Sequence, residues 1–185
     1  MTPERWESPL KLQLVPTVDS LSFLTMPQGT TGLPLSPHPG AFGVRRRFHT
    51  HEGVDLYAPE GTEVFAVEAG EVIAVRQFTG PELGHDWWLP TYGVWIEGAS
   101  GVVLYGEIEP HLAVGQQVMA GERVGTVLRV LKEDKGRPTS MLHLELRDSG
   151  NTADIEWLDN ENRPAGLLDP TPYLLDGVVN NQLNQ

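Results

Sequence analysis

Cysteine is absent from this 185-residue chain. No disulfide can therefore staple it, and any metal site must be built from histidine and carboxylates. Long apolar runs are missing too: nowhere do 18 consecutive apolar residues occur, which leaves no membrane-spanning helix to propose. Positive charge is scarce, with 13 Lys and Arg against 25 Asp and Glu and a net charge of −12. A surface of that sign repels nucleic acid and anionic lipid, so neither is expected as a partner. The first residues lack the basic start and apolar stretch of an export signal, from which a cytoplasmic location is expected unless the protein is exported by another route. Apolar residues make up only 39% of the chain.

What is abundant is turn chemistry. Twenty glycines and 15 prolines favour short strands joined by tight loops, hence an all-β class. Residues 1–42 are rich in Pro, Leu and Ser and weakly periodic. They are expected to form an irregular arm over the domain, with one strand at Leu10–Val15. From residue 43 to 176 the pattern is that of a single β domain. Strands are predicted at Val54–Tyr57, Glu63–Val67, Gly70–Gln77, Gly93–Glu97, Gly101–Ile108, Arg123–Leu131 and Met141–Leu146. Their number and spacing suggest a sandwich or partly open barrel of short antiparallel strands. The segments EGTEVFAVEAGEVIAV (60–75) and VGQQVMAGERVGTV (114–127) share a rhythm and each reads as a hairpin-like unit. A short helix is predicted over Asp169–Leu175 with Asp169 as its N-cap, followed by a frayed tail at 177–185.

Three residues concentrate the chemistry. In HEGVD, His51, Gly53 and Asp55 share one side of an extended segment, since residues i, i+2 and i+4 face the same way. Met141–Leu146 alternates, with Leu142, Leu144 and Leu146 on one face and Met141, His143 and Glu145 on the other. His143 thus projects from a leucine-backed strand. Two imidazoles and a carboxylate supply three positions of tetrahedral zinc and leave a fourth open, the pattern of a catalytic site.

Taken together, RFHTHEGVDLYAPEGTEVFAVEAGEV, VGQQVMAGERVGTV, MLHLELR and DPTPYL resemble, in order, the motifs of lysostaphin-like zinc endopeptidases over about residues 40–175. The resemblance implies a barrel-sandwich hybrid (duplicated hybrid motif) fold and a bound zinc ion. It also implies action on peptide cross-links of bacterial peptidoglycan, and matches His51, Asp55 and His143 to the zinc ligands. Two positions depart from the family. Its Y-x-H is here Tyr105-Gly106-Glu107, and the first histidine of its H-x-H is here Met141. A thioether has no proton to give, whereas a glutamate is the general base of other zinc peptidases. Glu107 is therefore the candidate base, or else a carboxylate that merely holds a neighbouring group.

Other residues carry paired readings. Tyr105, expected on the same face as Glu107, is a candidate donor to substrate or a core residue. His49 is a candidate outer partner or proton donor, or a half-exposed strand histidine. Met141, Glu145, His85, Trp87 and Trp88 are candidates for the surroundings of the metal or a substrate groove, the tryptophans alternatively capping a sheet end. Arg45–Arg47 are expected to pair with local carboxylates; His38 and His111 are expected at the surface, with His38 also considered for the fourth metal position. The alternative to a hydrolase is a catalytically degenerate zinc- or peptide-binding module of the same fold. A lipoyl or biotinyl carrier is disfavoured because the turn at Val118–Ala120 has no lysine. Oligomeric state is open.

Overall fold

The computed structural model describes residues 5–158 and 162–183. The described residues form eleven strands: β1 (Gln13–Thr17), β2 (Thr30–Pro34), β3 (Val54–Tyr57), β4 (Glu63–Phe65), β5 (Gly70–Thr79) and β6 (Thr91–Gly98). They continue with β7 (Gly101–Pro110), β8 (Gln117–Val118), β9 (Arg123–Val127), β10 (Met141–Arg147) and β11 (Leu167–Leu168), before one helix, α1 (Thr171–Leu183). The all-β expectation holds. Nine strands form one antiparallel sheet in the order β11-β10-β7-β6-β5-β8, with β3 on β10 and β9 joining β7 to β4. Among the described residues, no helix is long and apolar enough to cross a membrane.

The two segments of similar rhythm do not close as separate hairpins. β4 pairs with β9 and β5 with β8, so each segment finds its partner in the other. Their turns place Gly61 and Gly121 at positive φ, and the Val-rich strands then meet across the molecule. Val64, Val67, Val72, Val118, Val124 and Val127 lie in the core that results. Two units with unsatisfied strand edges thus satisfy each other, which local turn signals cannot reveal.

The N-terminal segment is more ordered than expected. Its strand starts later, at Gln13, and runs parallel to the second strand, β2. Trp6, Leu10, Leu14 and Leu33 are buried in the main core, and backbone bonds from Glu7 to Val67 and from Phe65 to Pro9 lay residues 7–9 along β4. The helix also outruns its expected length, extending into the segment expected to fray. Asp169 Oδ1 accepts the Thr171 N–H at 2.8 Å, as a cap should. Tyr173 stacks on Trp6 with ring centroids 4.8 Å apart.

Candidate metal centre

Register across three strands assembles the site. On β10, His143 lies opposite Asp55 of β3 and opposite Gly106 of β7. Side chains in such a row point to one face, so Asp55 and His143 are adjacent by construction. His51 reaches the same point from just before β3, through Gly53. A Cβ at Gly53 would lie 2.5 Å from the Leu144 carbonyl oxygen and 3.0 Å from His143 Cε1. Glycine there is a packing requirement as well as an absence of obstruction.

The three side chains are buried and their donor atoms form a triangle. His143 Nδ1 to Asp55 Oδ1 is 2.8 Å, His51 Nε2 to Asp55 Oδ1 is 3.2 Å, and His51 Nε2 to His143 Nδ1 is 3.3 Å. Zinc–ligand bonds of about 2.0–2.1 Å in a tetrahedron separate ligand atoms by roughly 3.3–3.4 Å. The residues therefore fit the ion that the donor set suggests, with only a small outward adjustment at Asp55.

Outer partners orient all three. The other His51 nitrogen, Nδ1, donates to the Ala41 carbonyl at 3.1 Å. His143 Nε2 donates to Glu145 Oε1 at 2.9 Å, and Asp55 Oδ2 accepts from Arg46 Nη2 at 2.5 Å. Each of the three side chains thus turns one defined atom inward. Burial lowers the His51 pKa, against the opposing charge of Asp55, and so favours the neutral imidazole. Burial alone would raise the Asp55 carboxyl, but His51, Arg46 and the hydrogen bonds from both histidines hold it well below the usual range. For His143 burial favours the neutral form, yet the hydrogen bonds and charges of Asp55 and Glu145 push its pKa well above the ordinary value. In the metal-free site one proton on His143 Nδ1 accordingly sits between the other two donor atoms, where a cation would replace it.

Glu107 stands beside this triangle because β7 is bulged. Val94 faces Tyr105 while Tyr92 faces Ile108, one residue more on β7 than on β6. Here β7 changes partner, leaving β10 at Gly106 and joining β9 at Ile108. Glu107 takes φ +65°, the sole non-glycine with positive φ among the described residues. The extra residue keeps both Tyr105 and Ile108 in the core and turns Glu107 to the other face. Its Oε2 is buried with no hydrogen-bond partner among the described residues. Burial, then the Asp55 charge, push its pKa up to about 8, with His143 and Arg46 opposing.

Several expectations are corrected. Tyr105 does not share a face with Glu107: it is fully buried, and its hydroxyl accepts the Val67 N–H at 2.8 Å, so it is a core residue. His38 is 3% exposed rather than superficial. Its Nδ1 accepts the Gly40 N–H at 2.9 Å, and its ring packs against Tyr57. It is absent from the three-residue cluster, while His111 is exposed as expected. His49 faces Glu52 at 3.8 Å and pairs through its backbone with Leu158, outside the triangle. His85 stacks on Trp87 with centroids 4.5 Å apart and meets Trp88 edge-on. Trp88 pairs with Leu131, so that group belongs to the two loops rather than to the triangle. Met141 is buried opposite Tyr57.

Sequence reasoning grouped Arg46 with its neighbours as local ion pairs; it pairs, but with a candidate ligand. Phe78, whose ring lies 5.4 Å from that of His143 and fills the space a side chain at Gly106 would need, was not anticipated. Neither was Arg147, which bonds Glu145. Only its place two residues beyond Glu145 on the alternating strand hinted at it.

Solved structures resemble this arrangement of strands. The crystal structure of cbpa from L. salivarius REN is 24% identical, with 76% of this chain and 87% of that chain covered and a TM-score of 0.52. The catalytic domain of the antimicrobial peptidase lysostaphin from Staphylococcus simulans is 18% identical, with 74% and 89% covered and a TM-score of 0.49. A catalytic-domain mutant of the prophage-encoded M23 protein EnpA from Enterococcus faecalis is 25% identical, with 70% and 85% covered and a TM-score of 0.49. No curated protein matches the chain. Residues 49–155 match the sequence profile of peptidase family M23, a span that holds the donor triangle and Glu107 together. The chain belongs to peptidase family M23.

Proposed function

We propose that this protein is a zinc-dependent peptidase acting on peptide cross-links of peptidoglycan, with His51, Asp55 and His143 as the metal ligands and Glu107 handling the proton. The observation that carries the reading is the donor triangle of zinc dimensions with a buried carboxylate oxygen of Glu107, unpartnered among the described residues, within electrostatic reach of Asp55 and His143. When bound, the ion supplies Lewis acidity and makes water nucleophilic near neutral pH. The chain's own residues do the rest. Beside a bound divalent cation Glu107 would stand as its carboxylate. Glu107 then takes the proton of the attacking water and returns it to the departing amine. Glu145 holds the His143 ring in place, and Phe78 shields that ring.

Met141 favours a second reading. Where a histidine would steady the developing oxyanion, a thioether offers no donor, and loss of one such donor costs roughly 100- to 1,000-fold in rate. A module that binds zinc and peptide without turnover is the consequence if nothing compensates.

Measured zinc content and release of fragments from purified peptidoglycan separate the two. The expected result is one zinc per chain, with cleavage that falls by about 100-fold or more in Glu107→Gln while zinc content is unchanged. Zinc without cleavage of any peptidoglycan supports the binding module. A protein that takes up no zinc overturns both.

A further inference from the structure

The outward face of β10 carries His143, Glu145 and Arg147 in succession, and all three are buried. A buried arginine and glutamate are costly in a strand interior, and apolar residues of similar volume often serve stability as well or better. Their geometry gives them another role. Glu145 Oε1 accepts from His143 Nε2 at 2.9 Å. Its other oxygen, Oε2, accepts from Arg147 Nε at 2.9 Å and from Arg147 Nη2 at 2.7 Å. Both carboxylate oxygens are thereby engaged, and neither can leave without orphaning a buried donor.

Arg147 is itself immobilised. It is 2% exposed, its Nη1 donates to the Ala153 carbonyl, and its guanidinium lies 6.0 Å from the Trp95 ring centroid. The Trp95 ring also carries Arg76, at 4.2 Å, which donates to the Thr152 carbonyl. The loop at 152–153 and Trp95 thus anchor the arginine, the arginine anchors Glu145, and Glu145 anchors the imidazole.

We infer that Arg147 is a positioning residue for the metal centre: through Glu145 it keeps the proton of His143 on Nε2 and turns Nδ1 toward Asp55 and His51. This rests on the zinc reading above for its consequence, but not for its geometry. With Arg147 present, an acceptor oxygen of Glu145 always faces Nε2. Without it, the carboxylate is free to rotate and the imidazole is no longer held in one orientation. Outer partners of this kind typically alter metal affinity by about 10–100-fold.

The test titrates metal-free protein with zinc against a chromophoric chelator and records the imidazole N–H signals by 15N NMR with and without zinc. Arg147→Met is expected to bind zinc about 10–100-fold more weakly, with the hydrogen-bonded His143 Nε2–H signal shifted upfield and exchanging faster. Arg147→Lys, which restores one charged donor, recovers part of both. Should Arg147→Met not fold, Glu145→Gln serves instead. Arg147 then draws the amide oxygen and leaves the NH2 group facing Nε2, so zinc affinity falls and the hydrogen-bonded His143 Nε2–H signal is lost. A folded Arg147→Met with wild-type zinc affinity and an unmoved Nε2–H signal overturns the inference. If wild-type protein binds no zinc, the peptidase reading fails, while the Nε2–H signal of metal-free protein still decides the role of Arg147.

Discussion

On the β10 side of the site His51, Asp55, His143, Glu145 and Arg147 are joined end to end by hydrogen bonds. On the β7 side Glu107 carries a buried oxygen with no partner among the described residues. The two sides lie within electrostatic reach of each other, since Asp55 and His143 both act on the Glu107 carboxyl. They differ in how completely their polar atoms are satisfied. A satisfied network in a low-dielectric interior is rigid and keeps ligand atoms where an ion needs them. An unsatisfied carboxylate is poised to exchange a proton, and strain at such a place is a feature of reactive sites. The candidate metal side is held in position, while the Glu107 side keeps an oxygen without a partner among the described residues.

The largest expected effect breaks the metal side. Asp55→Ala removes a ligand and leaves Arg46 and protonated His143 without their counter-charge. Zinc affinity should fall by more than the ~10–100-fold that loss of an outer partner costs. The metal-free protein should lose about 3–5 kcal/mol, the usual consequence of halving a buried ion pair. Chelator competition and denaturant unfolding measure the two. A variant that keeps wild-type affinity for zinc would remove Asp55 from the ligand set.

A smaller effect comes from the proton that the ion must displace. Because the charges and hydrogen bonds of Asp55 and Glu145 raise the His143 pKa, zinc and a proton compete for Nδ1. Zinc affinity should therefore drop by about tenfold or more for each pH unit below that pKa. Calorimetry in buffers of different ionisation enthalpy should register about two protons released per zinc near neutral pH, one from His143 and one from Glu107. A flat affinity across acid pH would mean that Nδ1 carries no proton to displace.

How much of this was legible follows from the same contrast. The clustering of the three candidate ligands was readable because each sits at a fixed spacing on an extended segment, where period-2 geometry places Asp55 beside His51 and sets His143 against a leucine face. The strand limits of β3 were readable for the same reason. Glu107 was readable as an identity but not as an orientation. Alternation puts it with Tyr105, and only pairing of β7 with β10 on one stretch and β9 on the next creates the bulge that separates them. Cross-pairing of the two Val-rich segments was hidden because a hairpin and an exchanged pair have the same local pattern. His38 and Arg46 were hidden because the arm reaches the site through loop backbone, with Gly40 O accepting from Asp55 N and Ala41 O from His51.

Glu107 sharpens the comparison through pH. Its folded pKa of about 8 lies above the ordinary value of 4.5. A group raised in this way contributes stability that is complete below the unfolded pKa and lost as pH climbs through the folded one. Metal-free wild type should thus weaken relative to Glu107→Gln between about pH 4.5 and 8, by at most about 1.4 kcal/mol per pH unit. Zinc should shrink that difference, since the cation favours the ionised carboxylate. Paired urea titrations across this range, with and without zinc, provide the measurement. Parallel stability curves for the two metal-free proteins would show that the Glu107 oxygen is not confined as described.

The smallest effect separates the core from the site. Tyr105→Phe keeps the ring and removes only the oxygen that accepts the Val67 N–H. A buried donor left without its acceptor costs about 1–3 kcal/mol, so urea unfolding should show a loss of that size. Zinc affinity and the rate of peptidoglycan cleavage should not move, because the bulge directs Tyr105 into the core and Glu107 out of it. A Tyr105→Phe variant with wild-type stability but slowed cleavage would reverse that assignment. The phenol would then work beside Glu107, and the β7 bulge would no longer divide structural residues from reactive ones.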